Sequence, residues 1–374
     1  MRDEFDDEGF EDEAEETGWP SARPAARPAV ENAARLLAPL AAAEDALSRL
    51  DAAAGAAPEA VREGLVARLS FAEAAGWLAA VSVTLHPRDL ALRAERLTGS
   101  YSAAAFAGRL PHVLTETAQA LHDLPEQFED EPRVEQALTL ARLLQRLATL
   151  RSTDPLDSPS ALSRALRSLG DSAWPSAAHS PAAALPEFNR WRRDWLAAGR
   201  EAAPLLAAAE GVAVWMREAG QGDSAVPQLG QGVFLAAVLL RRRGRLRHVP
   251  LVFWAGPRRL GPVLRGPLDD PAGWPLAFLG RVREAALRGL DELDRLNEVA
   301  QRAAVLAASG RKSSSLGRVV ELALRRPVIT APLLAAKLAL THQGALLLLN
   351  RLVAEGVLRE ATGRKSFRAF VVAG

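Results

Sequence analysis

The chain has 374 residues, 49% of them hydrophobic, with no cysteine and a net charge of +1. That length allows two or three domains with real cores. Disulfide and thiol chemistry are excluded, and no apolar run reaches the ~18 residues that a membrane span needs.

Residues 1–29 read as a disordered acidic tail and linker. Between Met1 and Glu16 ten acids face Arg2 alone, a local charge of −9, and SARPAARPAV follows. Such a composition cannot bury enough apolar surface to fold. The tail is either a solubilising extension or an intramolecular mimic of DNA that screens the basic C-terminus. No basic-then-apolar leader opens the chain, and a cytoplasmic location is expected.

Residues 30–309 read as a helical domain. A helical pattern runs from Glu31 to Ala53, and Pro39 predicts a joint between two helices. Glu59 to Ala80 carries a second, with Val61, Leu65, Leu69 and Phe71 inward. His86 and Pro87 open a short helix, and His86, lacking a second ligand-type residue in register, reads as structural rather than as a metal ligand or base. Leu110–Leu124 and Glu131–Leu150 are further helices. Residues 152–180, rich in Ser, Pro and Asp, mark either a domain boundary or a long, flexible surface loop, with one short helix at Pro159–Leu169. Leu185–Ala208 resumes helix, with Trp191 and Trp195 one turn apart.

A Gly-rich loop at Gly220–Asp223 lacks the Lys-Ser/Thr and the preceding strand of a phosphate loop. The run RRRGRLRH from Arg241 to His248 suits a helix C-terminus, with a secondary nucleic-acid contact as the alternative. Pro250–Pro271 is irregular. Trp274–Ala308 is the longest helical pattern, and its leucine stripe packs either on the bundle or on a second subunit. No cofactor or metal is expected.

Residues 310–374 read as a winged helix-turn-helix. Leu316–Arg325 is its first helix, and Val328 and Ile329 form a short extended piece. Thr330 caps a helix with Pro332 in its first turn. Thr341 caps the next, His342–Ala354, whose Ala345, Leu348, Leu349, Leu352 and Val353 recur at helical spacing. Gly356 stops it, and a hairpin follows with Arg364 and Lys365 at its tip. From Arg311 onward eleven basic residues face three acidic ones, a net charge of +8 that suits a phosphate backbone. A helix so placed enters the major groove by its N-terminal end. The expected partner is double-stranded DNA. Thr341, His342 and Gln343 would meet base edges, and Arg351, Arg364 and Lys365 would meet phosphates. A homodimer and a small-molecule effector are left open.

The stretches GRLRHVPLVFWA (Gly244–Ala255), DPAGWPLAFLGRVREAALRGLDELDRL (Asp270–Leu296) and RPVITAPLLAAKLALTHQGALLLLNRLVAEGVLREATGRKSF (Arg326–Phe367) resemble the Fic family, whose members often end in a winged helix. Fic enzymes transfer AMP with the motif H-P-F-x-D/E-G-N-G-R. Here the corresponding GDSAVPQLGQGVFLAA, 222–237, has no His base, no acidic metal ligand followed by a Gly-Asn-Gly turn, and no phosphate-binding Arg. LLAPLAAAEDALSRLD (36–51), VREGLVARLSFAEAAGWL (61–78) and LHPRDLAL (85–92) resemble a proteobacterial family that joins a helical region to a C-terminal helix-turn-helix. The resemblances imply an all-α fold, a degenerate Fic-like helical domain followed by a winged helix-turn-helix with a small β-hairpin. They also imply DNA binding without catalysis, as in a transcriptional regulator. A nucleotidyl transferase with a rearranged site and an antitoxin-like or scaffold partner are the alternatives.

Overall fold

The computed structural model describes residues 26–81, 83–95, 131–149, 159–170, 193, 195, 202–219, 225–255, 266–309, 315–362 and 368–373. Among them are eleven helices: α1 (Ala26–Ala56), α2 (Glu59–Ala80), α3 (Pro87–Ala94), α4 (Glu131–Thr149), α5 (Pro159–Ser168), α6 (Pro204–Ala219), α7 (Ala225–Arg242), α8 (Trp274–Ser309), α9 (Leu316–Arg325), α10 (Ala331–Leu338) and α11 (His342–Ala354). Three short strands, β1 (Ile329–Thr330), β2 (Leu358–Glu360) and β3 (Ala369–Val372), complete the set. The fold is mostly helical with a C-terminal winged helix-turn-helix.

Two helices organise the body. The 36-residue α8 packs along α1, α2 and α6. α2 carries α3, α4 and α9 as well. Val61, Leu65, Leu69 and Phe71 are all buried on α2, as their spacing predicts. Phe253, Trp254, Trp274 and Phe278 form an aromatic cluster with centroids 5.0 to 6.0 Å apart. The Trp274 indole donates to Ala209 O at 2.8 Å, which ties α8 to α6.

Three expectations change. Pro39 does not divide a helix: α1 runs unbroken for 31 residues. Proline removes one hydrogen bond, and packing of Leu36 and Leu40 against the core carries the helix across that gap. The helix expected to reach Ala208 is instead interrupted at Ala202–Ala203, and α6 starts afresh at Pro204. Proline disfavours helix at the preceding residue and suits a first helical position. Finally, the hairpin has a third strand. β1 pairs with β3 through Ile329↔Phe370 and Thr330↔Ala369, and β3 pairs with β2, giving the order β1-β3-β2. Two residues are too few to show alternation in sequence. The tail of residues 1–25, the helix expected at Leu110–Leu124, Trp191, and residues 220–224 lie outside the described residues.

The irregular segment 246–255 owes its shape to two buried carboxylates. Asp51 of α1 accepts from the backbone N–H groups of Arg247, His248 and Val249 at 3.1, 2.7 and 3.2 Å. Glu73 of α2 accepts from Phe253, Trp254 and Ala255 at 2.8, 2.8 and 2.9 Å. Six amides that no helix or strand can satisfy are thereby paired. The Arg run is more than a solvated helix end, because Arg241 donates to Leu246 O and Arg247 O, and Arg243 to Ala202 O.

The C-terminal module is seated on the body. Arg68 of α2 donates to Leu324 O (2.7 Å), Arg326 O (2.8 Å) and Ala323 O (3.3 Å), capping the carbonyl end of α9. Gly64, one turn earlier, lies so close that a Cβ there would sit 1.9 Å from Leu324 O. Arg295 of α8 donates to Val372 O and Ala373 O at 3.0 and 3.2 Å, and its guanidinium pairs with Glu292, which also faces Arg68.

Candidate nucleic-acid interface

In the C-terminal module α10 and α11 each start at a threonine that caps them. Thr330 is extended, and its Oγ1 accepts from Leu333 N at 3.3 Å, starting α10 with Pro332 in the first turn. α10 ends at Ala339, which has φ +55°, and Leu340 N returns to Ala335 O at 3.0 Å. Thr341 Oγ1 accepts from Gly344 N at 3.1 Å and starts α11. Gly356, at φ +68°, closes α11, with Val357 N donating to Leu352 O at 2.9 Å. The axes of α10 and α11 are bent by 115°, within the range of DNA-binding helix-turn-helix pairs.

The two faces of α11 divide cleanly. Ala345, Leu349 and Leu352 are fully buried, and Leu334, Phe370, Val357 and Leu358 are buried with them. Thr341, His342, Gln343, Leu347, Asn350 and Arg351 are exposed. Gln343, Leu347, Asn350, Arg351 and Ala354 follow one another at helical spacing, so the outer stripe is continuous over three turns. Leu347 is 70% exposed, in the middle of that stripe.

Of the six residues singled out in the sequence, four are on this surface. Thr341, His342 and Gln343 lie together at the exposed N-terminal end of α11, and Arg351 lies two turns on. Arg364 and Lys365 lie outside the described residues. Thr341 has a double position: its hydroxyl is already engaged as the helix cap, so its remaining capacity is one donor hydrogen and one lone pair. Sequence reasoning missed Leu347 and Asn350. The signal was present, since both are on the face complementary to Ala345, Leu349 and Leu352.

The positive charge of the module is smaller at its surface than in its sequence. Arg325 is bound to Glu63 at 2.5 Å and Glu321 at 2.8 Å, with Glu59 at 3.7 Å. Arg326 pairs with Glu95 at the end of α3. Arg368 pairs with Glu360 at 2.7 Å, reaches Asn350 Oδ1 at 3.2 Å, and lies over the Phe370 ring at 5.1 Å. These three cations hold the module together and to the body. Arg318, Lys337, Arg351 and Arg359 have no carboxylate within 4 Å among the described residues, and Arg318, Lys337, Arg351 and Arg359 are all exposed.

No single described helix is long and apolar enough to cross a membrane. α10 and α11 together pass that test by composition alone, and they are the two helices bent at 115°. Elsewhere, His86 caps α3, its Nδ1 accepting from Arg88 N at 3.1 Å, which matches a structural role.

The family described as HTH DNA binding domain matches residues 316–372, the span from α9 to β3. No curated protein matches the chain.

Proposed function

We propose that the chain is a transcriptional regulator that reads double-stranded DNA with α11 in the major groove. The observation that carries this reading is the outer face of α11. It is exposed, polar at its capped N-terminal end, and set at 115° to α10 over an apolar core. The match of residues 316–372 to a DNA-binding helix-turn-helix supports it. Gln343 has the amide geometry for a bidentate contact with adenine, and His342 suits guanine. Leu347 is placed to meet a thymine methyl group, which gives an exposed leucine an apolar partner in the groove. Arg351, Arg364 and Lys365 supply phosphate contacts that fix position without reading sequence. The helical body supplies the platform and no bond-making step. If two copies pair, the target is a palindrome with half-sites about one helical turn apart.

The test is selection of random duplexes by the full chain, followed by titration of the enriched site. Enrichment of one motif, with Gln343→Ala losing about 1–3 kcal/mol of discrimination at a single A·T pair, is the expected outcome. Failure to retain any duplex at low salt sinks the reading.

A further inference from the structure

One amide on the outer face of α11 is held in a single orientation. Asn350 is exposed in the third turn, on the stripe that carries Gln343 and Leu347. Arg368, the residue before β3, donates from Nη1 to Asn350 Oδ1 at 3.2 Å. Arg368 is itself fixed by its other neighbours. Its Nε and Nη2 lie 2.8 and 2.7 Å from Glu360 Oε2 on β2, and its guanidinium lies 5.1 Å from the centre of the fully buried Phe370 ring. Thr362 Oγ1 donates to Glu360 Oε1 at 3.2 Å and accepts from Ala369 N at 3.2 Å. A chain of polar side chains thus runs from the sheet to the exposed face of the helix.

A guanidinium has donors and no acceptor, so it fixes which end of the amide faces it. The oxygen of Asn350 is turned toward Arg368, and its Nδ2 keeps two N–H groups that have no partner among the described residues. An unrestrained asparagine pairs with adenine by accepting from N6 and donating to N7. Here one lone pair of Oδ1 is in use, and the cation bound to it repels the N6 donor. Guanine presents two acceptors, N7 and O6, along the same edge, and these match the two N–H groups.

We infer, on the reading of α11 as the helix in the groove, that Asn350 recognises guanine as a donor only. Arg368 is the positioning residue that makes it so. The assignment adds a base to the read sequence beyond those that Gln343 and His342 meet, and it gives the ion pair of the sheet a part in specificity.

The experiment is selection of random duplexes by the full chain, then titration of the enriched duplex with each base at each selected position. Asn350→Ala identifies the position: one base pair should lose its preference for guanine, by about 5- to 100-fold. Asn350→Asp keeps a bond to Arg368 but offers only acceptors, so that pair should change from G·C to C·G, with cytosine N4 as the donor. Arg368→Met combined with Glu360→Gln removes the positioning group and leaves no unpaired carboxylate. Adenine should then be accepted as well as guanine at that position, with the other positions unchanged. Glu360→Gln alone retains the donor and should retain guanine. Asn350→Asp alters an exposed side chain, so it decides the base even if the double variant does not fold. A parent preference for any base other than guanine at the Asn350 position overturns the inference. So does a double variant that weakens every position alike and keeps guanine, because Arg368 is then only a strut. An enriched motif that keeps its Gln343-dependent A·T pair and is unchanged in Asn350→Ala removes this assignment alone. Retention of no duplex at low salt removes the regulator reading beneath it.

Discussion

The helical body and the C-terminal module use polar side chains in opposite directions. In the body these side chains turn inward: Asp51 and Glu73 each gather three backbone amides, and Arg68 gathers four carbonyls, those of Gly64, Ala323, Leu324 and Arg326. In the module the core beneath α11 is apolar, and the polar residues of its first turn face solvent. A buried acid that gathers backbone amides fixes one arrangement of the chain. An exposed amide at a capped helix end is held in position while its donors and acceptors remain available. The difference separates groups spent on holding the fold from groups that stay accessible at the surface.

The sharpest way to break the comparison is to remove a charge from the body. Arg68→Ala removes the donor from the three part-buried carbonyls of Ala323, Leu324 and Arg326 and leaves Glu292 with Arg295 alone, and should cost about 3–5 kcal/mol in urea unfolding. Hydrogen exchange should rise first in α9, whose C-terminal carbonyls Arg68 caps.

Glu73 comes next. Burial is the largest cause, and it raises the carboxyl to about 7 against the opposing pull of the three amides and Arg281. The folded state therefore holds a proton that the unfolded chain has lost. The stability from this group is full below the ordinary glutamate value near 4.5 and is lost as pH rises through 7. The fall across that window is on the order of 3 kcal/mol. Glu73→Gln keeps an acceptor for the amides and cannot titrate, so its melting temperature should be flat where that of the parent declines. A parent curve as flat as that of the variant would show that the amides keep Glu73 ionised throughout.

Changes on the outer face of α11 should behave in the opposite way. Leu347→Ala and Gln343→Ala should leave unfolding within about 0.5 kcal/mol of the parent, as exposed positions do. Replacing thymine by uracil in the selected site should weaken the parent and leave Leu347→Ala unaffected. Thr341→Ala crosses the divide, because the hydroxyl caps α11 at 3.1 Å. It should cost about 1 kcal/mol of stability and loosen the residues that follow it. A small effect of opposite sign is expected at Ala339, whose φ of +55° suits glycine. Ala339→Gly should stabilise by about 0.5 kcal/mol, once the greater freedom of glycine in the unfolded chain offsets part of the strain relieved.

Local punctuation made much of the module legible in sequence. Thr330, Thr341 and Gly356 mark the ends of α10 and α11 because capping and left-handed closure depend on residue type at one position. Helical spacing likewise gave the inward face of α2 and the span of α8. The seam was not legible. Arg68 and Leu324 are 256 residues apart, and a guanidinium on a backbone carbonyl leaves no period in either segment. The bonds from Asp51 and Glu73 to residues 247–255 likewise leave no period in sequence. The charge of the module was legible in total but not in use, since Glu59, Glu63 and Glu95, which neutralise Arg325 and Arg326, belong to the body. Pro39 was misleading because a local rule was overridden by packing along α1.

The same separation of 256 residues matters during synthesis. α2 leaves the ribosome long before α9 exists, so for that interval Gly64 offers a bare groove and Arg68 has none of its three acceptors at Ala323, Leu324 and Arg326. At about 5–20 residues per second that interval is on the order of ten seconds to a minute. A nascent product that stops before residue 316 keeps the groove uncovered, which gives a chaperone or a protease a way to tell it from the finished molecule.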